Sequence, residues 1–172
     1  MKLHSSDFEL FGLPQRFAQE RSAIDSRWKD LQREAHPDRF AGQGASAQRA
    51  ALQWSVRINE AYQRLKDPLK RASYLCERLG APIDAENNTA MPPEFLMEQM
   101  EWREALDEAS SEEALQELSE RVLQRRREML ADIQQLLDLE GDAPAAAQRV
   151  RALMFIERFA GDVESRLAQL GQ

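Results

Sequence analysis

The sequence predicts an all-α protein made of two units. Apolar residues recur three and four positions apart in every long segment, and no run alternates as a β-strand would. The seven glycines and seven prolines lie mostly between the periodic segments. Residues 1–80 contain 14 basic and 10 acidic residues, whereas residues 81–172 contain 9 basic and 20 acidic residues. The formal net charge of −7 is therefore distributed unevenly along the chain. This asymmetry predicts two units with different partners.

Composition limits the possible functions. With 172 residues, 42% of them hydrophobic, the chain can bury a core. The negative net charge argues against broad binding to nucleic acid or to a membrane surface. Cys76 is the only cysteine and there are only two histidines, so we predict no disulfide, no metal site and no cofactor. The N-terminus has no apolar stretch and no run reaches about 18 apolar residues, so a cytoplasmic protein is expected.

The first unit, residues 1–80, is predicted to contain four helices. Polar residues at 5–7 can cap the first helix, and Asp67 followed by Pro68 can start the last one. The helices are expected over residues 8–11, 20–35, 46–66 and from Pro68 to just before Gly80. The predicted inward residues are Ile24, Trp28, Leu31, Ala35, Ala51, Ser55, Ile58, Tyr62, Leu65, Ala72, Leu75, Cys76 and Leu79. Within this set Cys76 is interpreted as a small core residue and not as a reactive thiol.

A His-Pro-Asp segment, His36 to Asp38, separates the second and third predicted helices. Pro37 has a locked φ and no amide hydrogen, and its ring disfavours the α region for the preceding residue. The second helix must therefore end here, and a stiff turn presents the Asp38 carboxylate. Such a turn suits docking to a cationic partner better than chemistry on a small molecule.

The outer face of the second helix is basic, with Arg27, Lys29 and Arg33. A solvated helix surface is the commoner interpretation of such a face. Its position beside the His-Pro-Asp segment favours a functional interpretation.

Four blocks of the first unit resemble the J-domain family at the family's spacing. They are FELFGL at 8–13 with Leu31, HPD at 36–38, INEAYQRLKDP at 58–68, and KRA at 70–72 with Tyr74. The sequence departs from the family at Ala35, where an aromatic residue is usual, and at Asp30, which is acidic within the basic face. The resemblance implies that this unit engages a DnaK-class chaperone through the His-Pro-Asp segment and the basic face.

The second unit, residues 93–172, follows an aperiodic stretch at 81–92 that is predicted to be a linker. Three helices are expected. The first covers residues 93–109, and the second starts at a capping box formed by Ser110 and Glu113. The third begins after the break at 141–144 and ends at about Leu170. Three arginines at 125–127 interrupt the apolar spacing of the middle helix. The predicted inward residues of the middle and last helices are Leu115, Leu118, Val122, Met129, Ile133, Leu136, Leu153, Ile156, Ala160, Val163, Leu167 and Leu170. A three-helix bundle is predicted.

The helix over 93–109 has more apolar residues than one core face needs. A core face is expected from Phe95, Gln99, Trp102, Leu106 and Ala109. The opposite side begins with Leu96, Met97 and Met100 and continues with Glu101, Glu104 and Glu108, while Phe155 lies off the stripe of the last helix. One interpretation is that the apolar residues close against the first unit and the glutamates form a solvated face. Together, a Met-containing patch with a carboxylate rim is more typical of a site for a basic partner.

This helix, FLMEQMEWREALDE at 95–108, is similar to the signature helix of the HscB family, J-type co-chaperones of bacterial iron–sulfur cluster assembly. The similarity covers essentially the whole chain. The family delivers the scaffold IscU to the DnaK-class ATPase HscA, and we expect a monomer with that role. The resemblance implies chaperone binding by His36, Pro37, Asp38, Arg27, Lys29 and Arg33. It implies scaffold binding by Leu96, Met97, Met100, Glu101, Glu104, Glu108 and Phe155.

Three other functions compete with this one. An enzyme using His36 and Asp38 as a base pair is disfavoured because Pro37 separates them and no nucleophile, phosphate loop or metal cluster accompanies them. A general J-protein would instead bind many unfolded clients. Nucleic-acid binding through the second helix is disfavoured by the net charge. We therefore predict an adaptor without catalytic activity of its own.

Overall fold

The computed structural model describes residues 3–84 and 91–171 and confirms the all-α class. These residues contain seven α-helices, one 3₁₀-helix and one π-helical turn, and no strand. Contacts between Cα atoms divide the chain into two compact units, Met1–Leu75 and Cys76–Gln172, so the division falls inside a helix a few residues before the predicted boundary at 80. Half of the predicted linker, residues 85–90, lies outside the described residues. No helix in the described part of the chain is long and apolar enough to cross a bilayer.

The predicted helices of the first unit are present with small changes at their ends. Ser6 caps the first helix by accepting a hydrogen bond from the Glu9 N–H through its hydroxyl. The His-Pro-Asp segment, predicted as a turn, continues into a 3₁₀-helix. The elements are α1 (Asp7–Leu10), α2 (Arg21–Ala35), the 3₁₀-helix (Pro37–Phe40), α3 (Ala45–Lys66) and α4 (Pro68–Arg78).

Helices α2 and α3 form an antiparallel pair, and polar contacts fix their register. The Asn59 side-chain oxygen accepts hydrogen bonds from Trp28 Nε1 at 3.0 Å and from Gln32 Nε2 at 2.7 Å. The Trp28 ring also stacks on the Tyr62 ring with centroids 4.6 Å apart. These contacts join the half-exposed edges of the two helices. They fix the C-terminal half of α2, which leads into the His-Pro-Asp segment, against α3.

One inward assignment in this unit is wrong. Leu79 was predicted to face the core, but its side chain is 46% exposed. The reason is that α4 ends at Arg78, one residue earlier than the stripe requires, and Gly80 then adopts φ 84°. The buried members of the predicted set are Ile24, Leu31, Ala51, Ile58, Leu65, Ala72, Leu75 and Cys76.

The second unit consists of three long helices. They are α5 (Pro93–Glu108), α6 (Glu112–Gln134), which continues into a π-helical turn (Gln135–Leu139), and α7 (Ala143–Leu170). The cap of α6 is Ser111, whose hydroxyl accepts from the Ala114 N–H at 3.1 Å, and not Ser110 as predicted. Its helical hydrogen bonding begins one residue later than the capping-box pattern implied.

The core of this unit follows the predicted stripes except near the helix ends. Leu137, four positions after Ile133, is 7% exposed, whereas the predicted Leu136 is half-buried, and both lie in the π-helical turn. Leu170 is 52% exposed at the last position of α7. The core side chains that α6 and α7 bury are Leu115, Leu118, Val122, Met129, Ile133, Val150, Leu153, Ile156, Phe159 and Val163.

Candidate functional site

The His-Pro-Asp segment forms a short, fixed and exposed structure. His36 ends α2 in an extended conformation, φ −62° and ψ 130°, as expected for a residue before proline. Pro37 then starts the 3₁₀-helix, where its missing N–H costs no hydrogen bond. His36 Nδ1 accepts the Asp38 backbone N–H at 3.2 Å, while the side chains of His36 and Asp38 are 57% and 92% exposed. The carboxylate is therefore available to a partner.

The basic face of α2 is less free than the sequence predicted. Arg27 is half-buried and its Nε donates to the Phe11 carbonyl at 3.0 Å, so it connects α2 to the end of α1. Asp30 lies 4.0 Å from Arg27 and 3.7 Å from Arg33 and partly offsets both charges. Lys29 and Arg33 remain exposed. Lys29 and Arg33 are therefore the two cations of this face that a partner can reach beside the His-Pro-Asp segment.

A cavity of about 450 Å³ opens between α2, α3 and the 3₁₀-helix, next to the His-Pro-Asp segment. Ala35, whose small side chain departs from the family pattern, lies on its wall with Phe40 and Trp54. The methyl group of an alanine leaves this space open where a larger side chain would occupy it.

The candidate scaffold surface lies on α5. Leu96, Met97 and Met100 are 46%, 62% and 73% exposed, which is the exposure expected of a partner site. The opposite side of the helix is buried through Phe95, Trp102 and Leu106. The three predicted glutamates, at positions 101, 104 and 108, are all exposed on α5.

A groove of about 540 Å³ runs between α5 and α7, and we refer to it as the α5–α7 groove. It brings together four of the predicted scaffold-binding residues from two helices. Leu96, Met97 and Glu101 do not line it and extend the surface along α5. The groove is lined by Gln99, Met100, Arg103, Glu104, Asp107, Glu108 and Phe155.

An aromatic cluster holds Phe155 at this groove. Its ring centroid lies 6.4 Å from that of Trp102 and 5.8 Å from that of Phe159, and the latter two lie 5.5 Å apart. Trp102 and Phe159 are buried, whereas Phe155 is half-buried. The sequence assigned Phe155 no packing role. In the structure its inner side packs on the core and its outer side lines the groove.

Sequence reasoning missed Arg103 and Asp107 as members of this groove. Each follows a predicted residue by three positions, Met100 and Glu104 respectively, which is the spacing of neighbours on one helix face. The helical period could therefore have identified them. Arg103 also lies 3.6 Å from Asp162 on α7 and 5.7 Å from the centre of the Phe159 ring.

The arginines of α6 hold α5 and α7 in place. Arg125 Nε donates to Glu98 at 2.9 Å and its guanidinium lies 5.2 Å from the centre of the Phe95 ring, so it ties α6 to α5. Arg126 Nε donates to Glu157 on α7 at 3.0 Å. Two of the three arginines that interrupt the apolar spacing thus connect the three helices that position the groove, while Arg127 bonds Gln124 within α6.

Comparison with known proteins assigns both units. A family model described as the HSCB C-terminal oligomerisation domain matches residues 91–164. The chain is 44% identical to a co-chaperone protein HscB homolog of Burkholderia thailandensis over 99% of this chain and 98% of that one. It is 46% identical to the homolog of Burkholderia multivorans over the same shares. Both relatives are named as co-chaperones, which agrees with the co-chaperone role that the sequence predicts.

Solved structures agree with this assignment. The chaperone HscB from Vibrio cholerae has a TM-score of 0.83 at 39% identity, covering 96% of this chain and 99% of that one. Human co-chaperone protein HscB has a TM-score of 0.89 at 25% identity, covering 96% and 84%. They confirm the predicted fold of a J-domain followed by a C-terminal helical domain. The chain belongs to the HscB family of co-chaperones.

Proposed function

We propose that this chain acts in iron–sulfur cluster biogenesis by binding the scaffold IscU, delivering it to the chaperone HscA and stimulating HscA ATP hydrolysis. The observation that supports this role is the presence of two different exposed surfaces in separate units of one chain. The chaperone-binding surface comprises Arg27, Lys29, Arg33, His36, Pro37 and Asp38. The scaffold-binding surface comprises Leu96, Met97, Met100, Glu101, Glu104, Glu108 and Phe155.

The geometry of the His-Pro-Asp segment supports a docking role. Pro37 and the hydrogen bond between His36 Nδ1 and the Asp38 N–H restrict the backbone before any partner arrives. Association then loses less conformational entropy than it would with a flexible loop. The Asp38 carboxylate, 92% exposed, can meet a cationic group of the chaperone while Lys29 and Arg33 meet acidic ones.

The scaffold-binding surface has the composition of a hetero-interface. Flexible methionine side chains adapt to an irregular partner, and an aromatic anchor such as Phe155 supplies contact area at low entropic cost. The carboxylates around them favour a basic partner. Pairing of two copies through this face would bring like charges together, which is unfavourable. A monomer in the absence of IscU therefore stays our prediction.

Two weak contacts can act together because they belong to one chain. When IscU is bound to the C-terminal unit, its effective concentration near HscA rises to that set by the connection between the units. Neither contact then needs high affinity by itself. The expected consequence is that IscU and this protein stimulate HscA more strongly together than separately.

Single-turnover ATP hydrolysis by purified HscA tests this role. The protein and IscU are added separately and together, with His36→Gln as the control variant. Joint stimulation above either addition alone, lost in His36→Gln, supports delivery. Stimulation that does not depend on IscU would favour a general J-protein for unfolded clients, and no stimulation would contradict the proposal.

A further inference from the structure

Three carboxylates of the α5–α7 groove have no partner of their own. Glu104, Asp107 and Glu108 are exposed, and in the described ranges none of them forms an ion pair or a hydrogen bond through its side chain. Asp107 belongs to none of the sets assigned so far. The groove therefore contains negative charge that the unit itself does not neutralise.

The position of these carboxylates on α5 increases their attraction for a cation. They lie in the last two turns of the helix, where the partial charge of the backbone is negative, and the last turn contains no basic residue. Acidic side chains at a helix C-terminus oppose the helix dipole. Arg166 from α7 donates to the Leu106 and Ala109 carbonyls at 3.5 and 3.2 Å, so its charge offsets part of the helix dipole, but it forms no ion pair with the three carboxylates.

The cation that lines the groove is already engaged elsewhere. Arg103 lies 3.6 Å from the Asp162 carboxylate and its guanidinium lies over the Phe159 ring. Its charge is therefore shared with α7 and does not cancel the three carboxylates. Met100 and Phe155 add apolar walls to the same groove.

The cleft on the other side of α5 provides a contrast. It is lined by Glu98 and Glu128 among other residues of α5 and α6, but Arg125 donates to both carboxylates, at 2.9 and 3.3 Å. Glu98 and Glu128 thus share an internal counter-ion in Arg125, whereas Glu104, Asp107 and Glu108 of the α5–α7 groove have none among the described residues.

We infer that the α5–α7 groove receives a cationic side chain of the scaffold, a lysine or an arginine, and that Asp107 is a contact residue for it. The aliphatic stem of such a side chain packs on Met100 and Phe155 while its charge meets the carboxylates. A groove of about 540 Å³ has room for one long side chain. The inference rests on the proposed binding of IscU and adds a specific occupant and a residue to it.

Calorimetric titration of IscU into the full chain tests the inference, using Asp107→Asn and Asp107→Lys at two salt concentrations. The matched controls are Glu117→Gln and Glu117→Lys, which change an exposed carboxylate of α6 that lies outside the groove. We expect Asp107→Asn to weaken binding about fivefold, the loss of one partly exposed charge pair, and Asp107→Lys to weaken it further. The salt dependence of Kd becomes smaller in Asp107→Asn, and the controls change Kd less than about twofold.

The outcomes separate this inference from the proposed function. If the unaltered chain does not bind IscU, the proposed function fails. If it binds and both Asp107 variants bind equally well, the groove does not hold the cation and only the inference fails. Equal losses in the Asp107 and Glu117 variants would show long-range charge attraction and would also overturn it. Thermal unfolding gives a further check, because removing a carboxylate from the end of α5 should leave Tm unchanged or raise it.

Discussion

The Asp7 carboxylate is fully buried and accepts two hydrogen bonds from the Arg64 guanidinium, at 2.6 and 2.9 Å. Arg57 Nη1 lies 2.8 Å from the same carboxylate, so one buried anion meets two cations of α3. The Asp7 backbone N–H donates to the Tyr74 hydroxyl at 2.9 Å. Asp7 therefore joins α1 to α3 and α4 inside the first unit.

Replacing Asp7 with asparagine should destabilise the first unit. The substitution keeps the size of the side chain but leaves two arginines facing a neutral group, and breaking a buried pair costs about 3 kcal/mol or more. Urea unfolding followed by circular dichroism measures the change. As a control, Asp25→Asn breaks an exposed pair with Arg21 and should change stability little. A similar midpoint for Asp7→Asn and the unaltered protein would contradict this account.

Asp38→Asn should abolish stimulation of HscA and leave IscU binding unchanged. The Asp38 side chain is almost fully exposed and makes no packing contact that the fold needs, so removing its charge affects docking and not stability. ATP turnover by HscA and calorimetry with IscU provide the two measurements. Loss of IscU binding in this variant would refute the division of labour between the two units.

Met97→Ala combined with Phe155→Ala should weaken IscU binding about tenfold or more, because anchors at the centre of an interface dominate its affinity. Met97→Ala is also tested alone, since Phe155 packs on Trp102 and Phe159 and its removal lowers stability as well. Leu123→Ala, which shortens an exposed leucine of α6, is the matched control. Unchanged affinity for IscU would show that the site lies elsewhere.

Cys76 should react with thiol reagents only when the protein unfolds. Burial raises the pKa of its thiol from 9.0 to about 11, although the nearby Arg151 charge acts in the opposite direction. The native thiol therefore stays protonated at pH 8, and alkylation by iodoacetamide should be much slower than in urea. Because the folded pKa is raised, the contribution of this group to stability is complete below pH 9 and is lost as the pH rises towards 11. Rapid alkylation of the native protein at pH 8 would disprove this burial effect.

Local sequence patterns were sufficient for most of the secondary structure. Pro37 disfavours the α region for His36, so the end of α2 at Ala35 could be predicted from one residue. The helical period likewise placed Phe95, Trp102 and Leu106 on the buried side of α5 and the apolar patch on the exposed side. These conclusions depend only on residues within one or two turns of each other.

Helix ends and register changes were harder to predict from the sequence. Ser110 and Ser111 are chemically equal caps, and only the hydrogen bond to the Ala114 N–H distinguishes them. Leu136 and Leu137 follow Ile133 by three and four positions, so the apolar spacing allowed either one to face the core, and only the structure shows that Leu137 is the more buried. Such choices depend on how the last turns of a helix meet their neighbours.

The sequence by itself determined which residues share a face of each helix, because the helical period is a local property of the chain. Only the tertiary structure decided which faces meet. It placed Phe155 of α7 beside Met100 of α5, 55 positions apart in sequence, and it connected the two helices to α6 through Arg125 and Arg126. The packing of one helix on another depends on the whole set of side chains between them, and no local pattern contains that information.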